Sequence, residues 1–148
     1  MAISDGATIY PRQVFTENRM LERFLFGSAY LEFGARLKAR GYRIRQLSTT
    51  YIIHHFVEGR RSYDLPLVQV QTAFLAAALA YGTYFPSWRA MAECWCYYTL
   101  RAFVNQVRLS LNGAGAKDTF GLAAWWETAR LYQHYRDLFL SASWARFT

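Results

Sequence analysis

Apolar side chains recur every three to four residues along most of the chain, a spacing typical of helices that bury one face. Four segments carry this pattern or are apolar throughout: residues 16–40, 65–86, 87–111 and 118–142. Residues 1–15 contain Gly6 and Pro11 and no periodic pattern, so we expect them to form an extended arm. The length of 148 residues fits one domain. The pattern therefore predicts a mainly α protein of about four helices in a single domain, residues 1–148.

The first predicted helix, residues 16–40, contains small residues that share one face. Thr16 is placed to cap its beginning, and Gly41 to end it. The small residues lie in two pairs seven positions apart: Gly27, Ser28, Gly34 and Ala35. Glycine costs a helix about 1 kcal/mol relative to alanine, so the pairs predict close backbone approach by another helix. Simple tolerance of glycine in a packed helix is the alternative.

Residues 65–86 contain no charged side chain and form the most apolar segment of the chain. About 20 apolar residues span the hydrocarbon core of a bilayer. Aromatic residues crowd the end of the segment as they do at a membrane interface: Tyr81, Tyr84, Phe85 and Trp88. We therefore predict a membrane-embedded or membrane-spanning helix. Gln69 and Gln71 favour the alternative, the central helix of a soluble bundle that neighbours cover on every side.

The last two predicted helices, residues 87–111 and 118–142, are amphipathic. Ser87 and Asp118 are placed to cap them. The second carries a polar stripe at helical spacing, made of Glu127, Arg130, His134 and Asp137. Residues 46–63 are β-branched and aromatic in part, and their pattern fits a helix as well as a strand.

The amino-acid composition indicates that much of the protein surface is covered by a partner protein or by lipid. Hydrophobic residues make up 53% and aromatic residues 18% of the chain, while charged residues make up 18%. Typical soluble domains carry about 25% charged residues. The formal net charge of +7 favours anionic partners, and Lys38 and Lys117 are the only lysines among 17 cations. Arginine is enriched in interface cores, where lysine is depleted.

The densest cluster of cations lies between residues 36 and 45, where no acid intervenes: Arg36, Lys38, Arg40, Arg43 and Arg45. Three interpretations remain open. The cluster can be a solvated helix end that complements the helix dipole, a surface for anionic phospholipid headgroups, or an RNA contact in which Tyr42 stacks on a base. Arg60, Arg61 and Arg89 flank the apolar segment, and we count all eight cations as candidate headgroup or partner contacts.

Chemistry-bearing motifs are absent from the sequence. His54 and His55 are adjacent, so their side chains diverge and at most one of them joins a given metal site. Cys94 and Cys96 lie about 200° apart on a helix and cannot share a metal there. No phosphate-binding loop is present. We therefore predict a protein that is not an enzyme and that holds no cofactor or metal.

The overall profile is similar to small accessory subunits of energy-transducing membrane complexes, such as respiratory-chain complexes or ATP synthase. The similarity lies in the arm, the basic amphipathic helix, the apolar segment and the flanking helices rich in Arg and aromatic residues. It implies a structural subunit of a multi-subunit membrane complex, in the mitochondrial inner membrane, that packs against other subunits and anionic phospholipid. The amino terminus lacks the features of a secretory signal. The alternatives are an RNA-bound protein of an organellar ribosome and a soluble helical adaptor of a virus particle.

Overall fold

The computed structural model describes residues 10–18, 20–21, 29–43, 66–112 and 119–141, and these residues are mainly helical. The helices are α1 (Arg12–Glu17), α2 (Ala29–Ala39), α3 (Pro66–Leu79), α4 (Trp88–Asn112) and α5 (Leu122–Leu140). A π-helical segment, Ala80–Tyr84, continues α3. The described residues contain no strand, so the predicted α class is confirmed for them.

Helix α3 is the centre of the fold and packs against α2, α4 and α5. One side of α3 presents Leu75 and Leu79 to Leu131 and Phe139 of α5. Another side presents Phe74 and Ala78 to α4 and to residues near the start of α5. Rings stack densely here, with the Phe74 and Tyr98 centroids 4.5 Å apart. From Thr72 to Leu79, α3 is buried except at the half-buried Ala73 and Ala77. Burial among apolar neighbours favours side chains without polar groups, and this explains why this part of α3 has so few polar positions.

The membrane span predicted for residues 65–86 has no support in this structure. Helix α3 has 14 residues and its π-helical continuation has 5. Together they are about 28 Å long at 1.5 Å per residue, close to the roughly 30 Å of a bilayer's hydrocarbon core, so length alone does not decide the question. None of the described helices combines the length and the apolarity that crossing a membrane requires. The apolar character of α3 is accounted for by its burial among α2, α4 and α5.

The predicted helix over residues 16–40 differs from the structure in its first part. Helix α1 begins at Arg12, inside the predicted arm, and ends at Glu17. Asn18 leaves the helical conformation, and its side-chain amide donates to the carbonyl of Val14 at 3.1 Å. Asparagine commonly competes for backbone hydrogen bonds in this way and ends helices. Val14 is buried against Phe33 and Leu37, so α1 packs on α2.

The helix ends around α4 agree with the predicted caps only in part. The Ser87 hydroxyl accepts a hydrogen bond from the Ala90 amide at 3.4 Å, so the predicted cap of α4 is confirmed. Helix α5 begins later than predicted, after Gly121, which has no side chain to cap it. The Leu122 amide instead donates to Gln106 Oε1 of α4 at 3.4 Å. Asp118, the predicted cap, lies outside the described residues. The predicted polar stripe of α5 is exposed as expected.

The π-helical segment brings Gly82 against the ring of Tyr132. A Cβ atom on Gly82 would lie 2.3 Å from the Tyr132 hydroxyl and 3.1 Å from Met91 Cε. We expect Gly82→Ala to lower the free energy of unfolding by about 1–3 kcal/mol, since the crowded ring has to shift. In a Tyr132→Phe background the cost should fall, because the closest atom is gone. Urea unfolding of the four proteins measures this coupling, and equal costs in both backgrounds would contradict the steric explanation.

Candidate interaction surfaces

The basic segment between residues 36 and 45 does not form one exposed patch. Arg36 is buried. Arg40 is half-buried, whereas Lys38 and Arg43 are exposed. Arg45 lies outside the described residues. Of the four described cations of this segment, two are therefore accessible to a headgroup or a phosphate.

Arg36 is held inside the protein by Glu32, one turn earlier on α2. Its Nε lies 2.9 Å from Glu32 Oε1 and its Nη2 lies 3.4 Å from Oε2, a forked pair in which both side chains are almost fully buried. The Tyr84 hydroxyl donates to the same carboxylate. Burial, together with the nearby Glu32 charge, raises the pKa of Tyr84. The guanidinium also lies over the rings of Phe33 and Phe139. This network joins α2 to the π-helical segment and α5.

Arg40 and Tyr42 connect the end of α2 to α1. Arg40 donates to the side-chain oxygen of Asn18 and to the carbonyl of Glu17. The Tyr42 hydroxyl donates to the Glu17 carboxylate and thereby lowers the pKa of that carboxyl. Both side chains therefore have structural partners, which the charge pattern of the sequence did not indicate.

The remaining predicted site residues are scattered over the fold. Gly34 is buried and Ala35 is half-buried on α2, which contacts α3. Arg89 is exposed and pairs with Glu93 at 3.0 Å. Tyr84 is largely inside the protein, whereas the other three aromatic residues of the predicted belt are exposed: Tyr81, Phe85 and Trp88. Gly27, Ser28, Arg60 and Arg61 lie outside the described residues.

Helix α4 carries an exposed apolar surface that sequence reasoning missed, and we call it the outer face. Its members are Tyr97, Leu100, Phe103, Val104, Val107 and Leu111. Leu100 is 65% exposed, whereas Ala102, about 200° around the helix, is 0% exposed. Helix α4 is thus apolar on two opposite sides, and only one of them packs on the core. The spacing of these residues was available in the sequence as a second stripe, but the pattern does not reveal which stripe is buried.

Two cations border the outer face. Arg101 and Arg108 are exposed, and no described carboxylate forms an ion pair with either of them. Together with Tyr97, Leu100, Val104 and Asn105 they line a shallow, open depression. The surface therefore combines exposed apolar side chains with positive charge that no acid among the described residues pairs with.

The described residues offer little reactive chemistry. They contain no group of His, Cys, Asp and Glu side chains arranged to hold a metal ion. Burial raises the pKa of the Cys94 thiol to about 11, which disfavours its reactive thiolate. Cys96 is exposed at the edge of the outer face. His54 and His55 lie outside the described residues, and His134 is exposed on α5.

No protein-family model, curated protein or solved structure matches this chain. Its surface chemistry is therefore the basis for a proposed function. Among the described helices, α4 has the longest run of exposed large apolar side chains, and these form the outer face.

Proposed function

We propose that this protein is a non-catalytic structural subunit of a larger protein assembly, and that it packs against a neighbouring subunit through the outer face of α4. The observation that carries the proposal is the second apolar side of that helix. A surface helix of a self-sufficient domain has one apolar stripe and a polar opposite face. On α4, the opposite face carries large apolar residues from Tyr97 to Leu111.

Burial of this surface by a neighbour would be strongly favourable. Removing apolar surface from water contributes about 25 cal/mol per Å². Contiguous exposed apolar patches are uncommon on monomeric proteins and mark interaction sites. Leu100 and Leu111 are 65% and 78% exposed, so most of their side-chain surface is available to a partner. The low fraction of charged residues, 18%, agrees with a surface that is covered in the assembly.

The proposal retains the role that is common to two of the functional hypotheses drawn from the sequence. An accessory subunit of a membrane complex and an adaptor of a virus particle both act by packing against neighbouring proteins. The RNA-bound alternative draws on the segment between residues 36 and 45, of which Lys38 and Arg43 are the exposed cations among the described residues. The outer face therefore favours a protein neighbour over a nucleic acid.

We expect the isolated chain to form heterogeneous oligomers, because the outer face is left uncovered. Replacing Leu100 and Leu111 with Gln should shift it toward a 17.2 kDa monomer and leave the unfolding temperature nearly unchanged, since neither side chain contributes to the core. Light scattering across a concentration series measures the association. The matched control is Leu122→Gln with Leu140→Gln, two exposed leucines on α5, which should leave the association intact. A monodisperse wild-type monomer, or equal effects of both pairs, would contradict the proposal.

A further inference from the structure

We propose that the outer face of α4 binds an amphipathic helix of a partner protein whose flanking residues are acidic. This inference rests on the proposed function and names the chemistry of the partner. Two observations carry it: the spacing of the apolar side chains along α4, and the positions of the two arginines beside them.

The apolar side chains follow the spacing of a coiled-coil seam. Tyr97, Leu100, Val104, Val107 and Leu111 are separated alternately by three and four residues. This is the spacing of the a and d positions that contact a second helix in a heptad repeat. All five are exposed, and over 15 residues the seam is about 21 Å long at 1.5 Å per residue. The outer face is therefore shaped for one helix that lies along α4.

The two arginines occupy equivalent positions beside this seam. Arg101 and Arg108 each follow a d-position residue, Leu100 and Val107, so both are at position e. Residues at e and g form the ion pairs that set partner choice in coiled coils. No described carboxylate pairs with either arginine. A partner helix with Glu or Asp opposite these positions would complete the pairing.

The α4 helix of a second copy does not supply the missing acids. In an antiparallel pair of α4 helices, e positions face e positions, so Arg101 and Arg108 would meet arginines. In a parallel pair, e faces g, and the g positions hold Cys96, Phe103 and Ser110. The net charge of +7 adds repulsion between copies. Charge complementarity thus favours an acidic partner over self-pairing.

Cys96 provides a reporter for occupancy of the outer face in the full-length protein. Its thiol is exposed at a g position of the seam, whereas Cys94 is buried. Burial raises the pKa of Cys94 to about 11, which further disfavours its reactive thiolate at neutral pH. Iodoacetamide should therefore label Cys96 selectively, and a helix seated on the outer face should slow that labelling. Tandem mass spectrometry assigns the modified residue.

The test uses two synthetic helical peptides of three heptads, both with Leu at a and d. One carries Glu at e and g, and the other carries Lys at the same positions. We expect the Glu peptide to protect Cys96 of the wild-type chain and the Lys peptide to leave it reactive. In the variant Arg101→Glu with Arg108→Glu this preference should invert, with the Glu peptide weakened about tenfold or more, because two attractions become repulsions.

A matched control separates local pairing from total charge. Arg12→Glu with Arg130→Glu makes the same change in net charge at two exposed arginines outside α4. This control should keep the wild-type preference for the Glu peptide. Loss of binding in the control to the same extent as in the α4 variant would overturn the proposed pairing, and so would protection by the Glu peptide that survives Leu100→Gln with Leu111→Gln.

The remaining outcomes distinguish this inference from the proposed function. If the wild-type chain associates in light scattering but neither peptide protects Cys96, the acidic-helix inference is wrong and the structural-subunit proposal stands. If phosphatidylserine vesicles protect Cys96 and the Glu peptide does not, the face binds a lipid surface and the inference is wrong. If Cys96 is unreactive in the free wild-type chain at a dilution where light scattering shows a monomer, another part of the same chain covers the face, and both proposals are wrong.

Discussion

We expect Glu32→Ala to lower the free energy of unfolding by about 3–5 kcal/mol, one of the two largest effects foreseen for a single substitution in this protein. The substitution leaves the Arg36 guanidinium buried without its carboxylate, which is 2.9 Å away in the native protein. It also removes the acceptor of the Tyr84 hydroxyl. Guanidinium chloride unfolding followed by circular dichroism gives the change.

The chain contains a matched control for this buried pair. Arg89 and Glu93 form the same one-turn ion pair at 3.0 Å, but both side chains are exposed. Exposed pairs contribute about 0–1 kcal/mol, so Glu93→Ala should have a small effect. Replacing Glu32 with Leu and Arg36 with Met together should recover most of the stability, because an apolar pair of similar volume avoids the desolvation cost of buried charges. Equal effects of Glu32→Ala and Glu93→Ala would show that the α2 pair is not buried in solution.

Phe74→Ala should cost a similar amount, about 3–5 kcal/mol, because it opens a cavity at the centre of the fold. The Phe74 ring is 1% exposed and lies between Tyr98 and Trp95, whose centroids are 4.5 and 5.1 Å away. Thermal and denaturant unfolding both report this loss. The cost combines the lost burial of the ring with the cavity that its packed neighbours leave open.

Phe103→Ala is the matched deletion on the outer face, and it should change the free energy of unfolding by less than about 0.5 kcal/mol. Phe103 is 57% exposed, so its ring contributes little to folding. Association of the isolated chain should nevertheless decrease, since the ring belongs to the proposed docking surface. A destabilisation as large as that of Phe74→Ala would show that the outer face is covered within the chain, and would contradict the proposed function.

Much of the helical architecture follows from local features of the sequence. The period of the apolar residues predicted the regions of α2 to α5, and Ser87 predicted the beginning of α4. The predicted helix boundaries are wrong where a local hydrogen bond competes with the regular α-helical ones. Asn18 bonds to Val14 and ends α1 early, and the π-helical segment ends α3 before Pro86. Such competition depends on one or two hydrogen bonds, which periodicity does not register.

The candidate site was less accessible to prediction, because side-chain identity alone does not reveal burial. Arg36 and Lys38 both belong to a cationic run, but Arg36 is 1% exposed and pairs with Glu32, whereas Lys38 faces solvent. The helical phase places Glu32 and Arg36 on one face of α2, and α2 packs there against α3 and the π-helical segment. Only the packing of that face converts two surface-like residues into a buried pair.

The sequence alone determines three features of the protein, because each depends on residues within one or two helical turns. They are the helical class, the apolarity of α3 and the two apolar stripes of α4. The assignment of one stripe of α4 to the core and the other to the surface is different. Ala102 and Leu100 are both compatible with burial, and Leu100 is the more hydrophobic, yet Ala102 is the buried residue. Helix α3 approaches on the side of the smaller residue, where backbones pack closely, and this long-range contact leaves the larger side chains of the outer face for a partner.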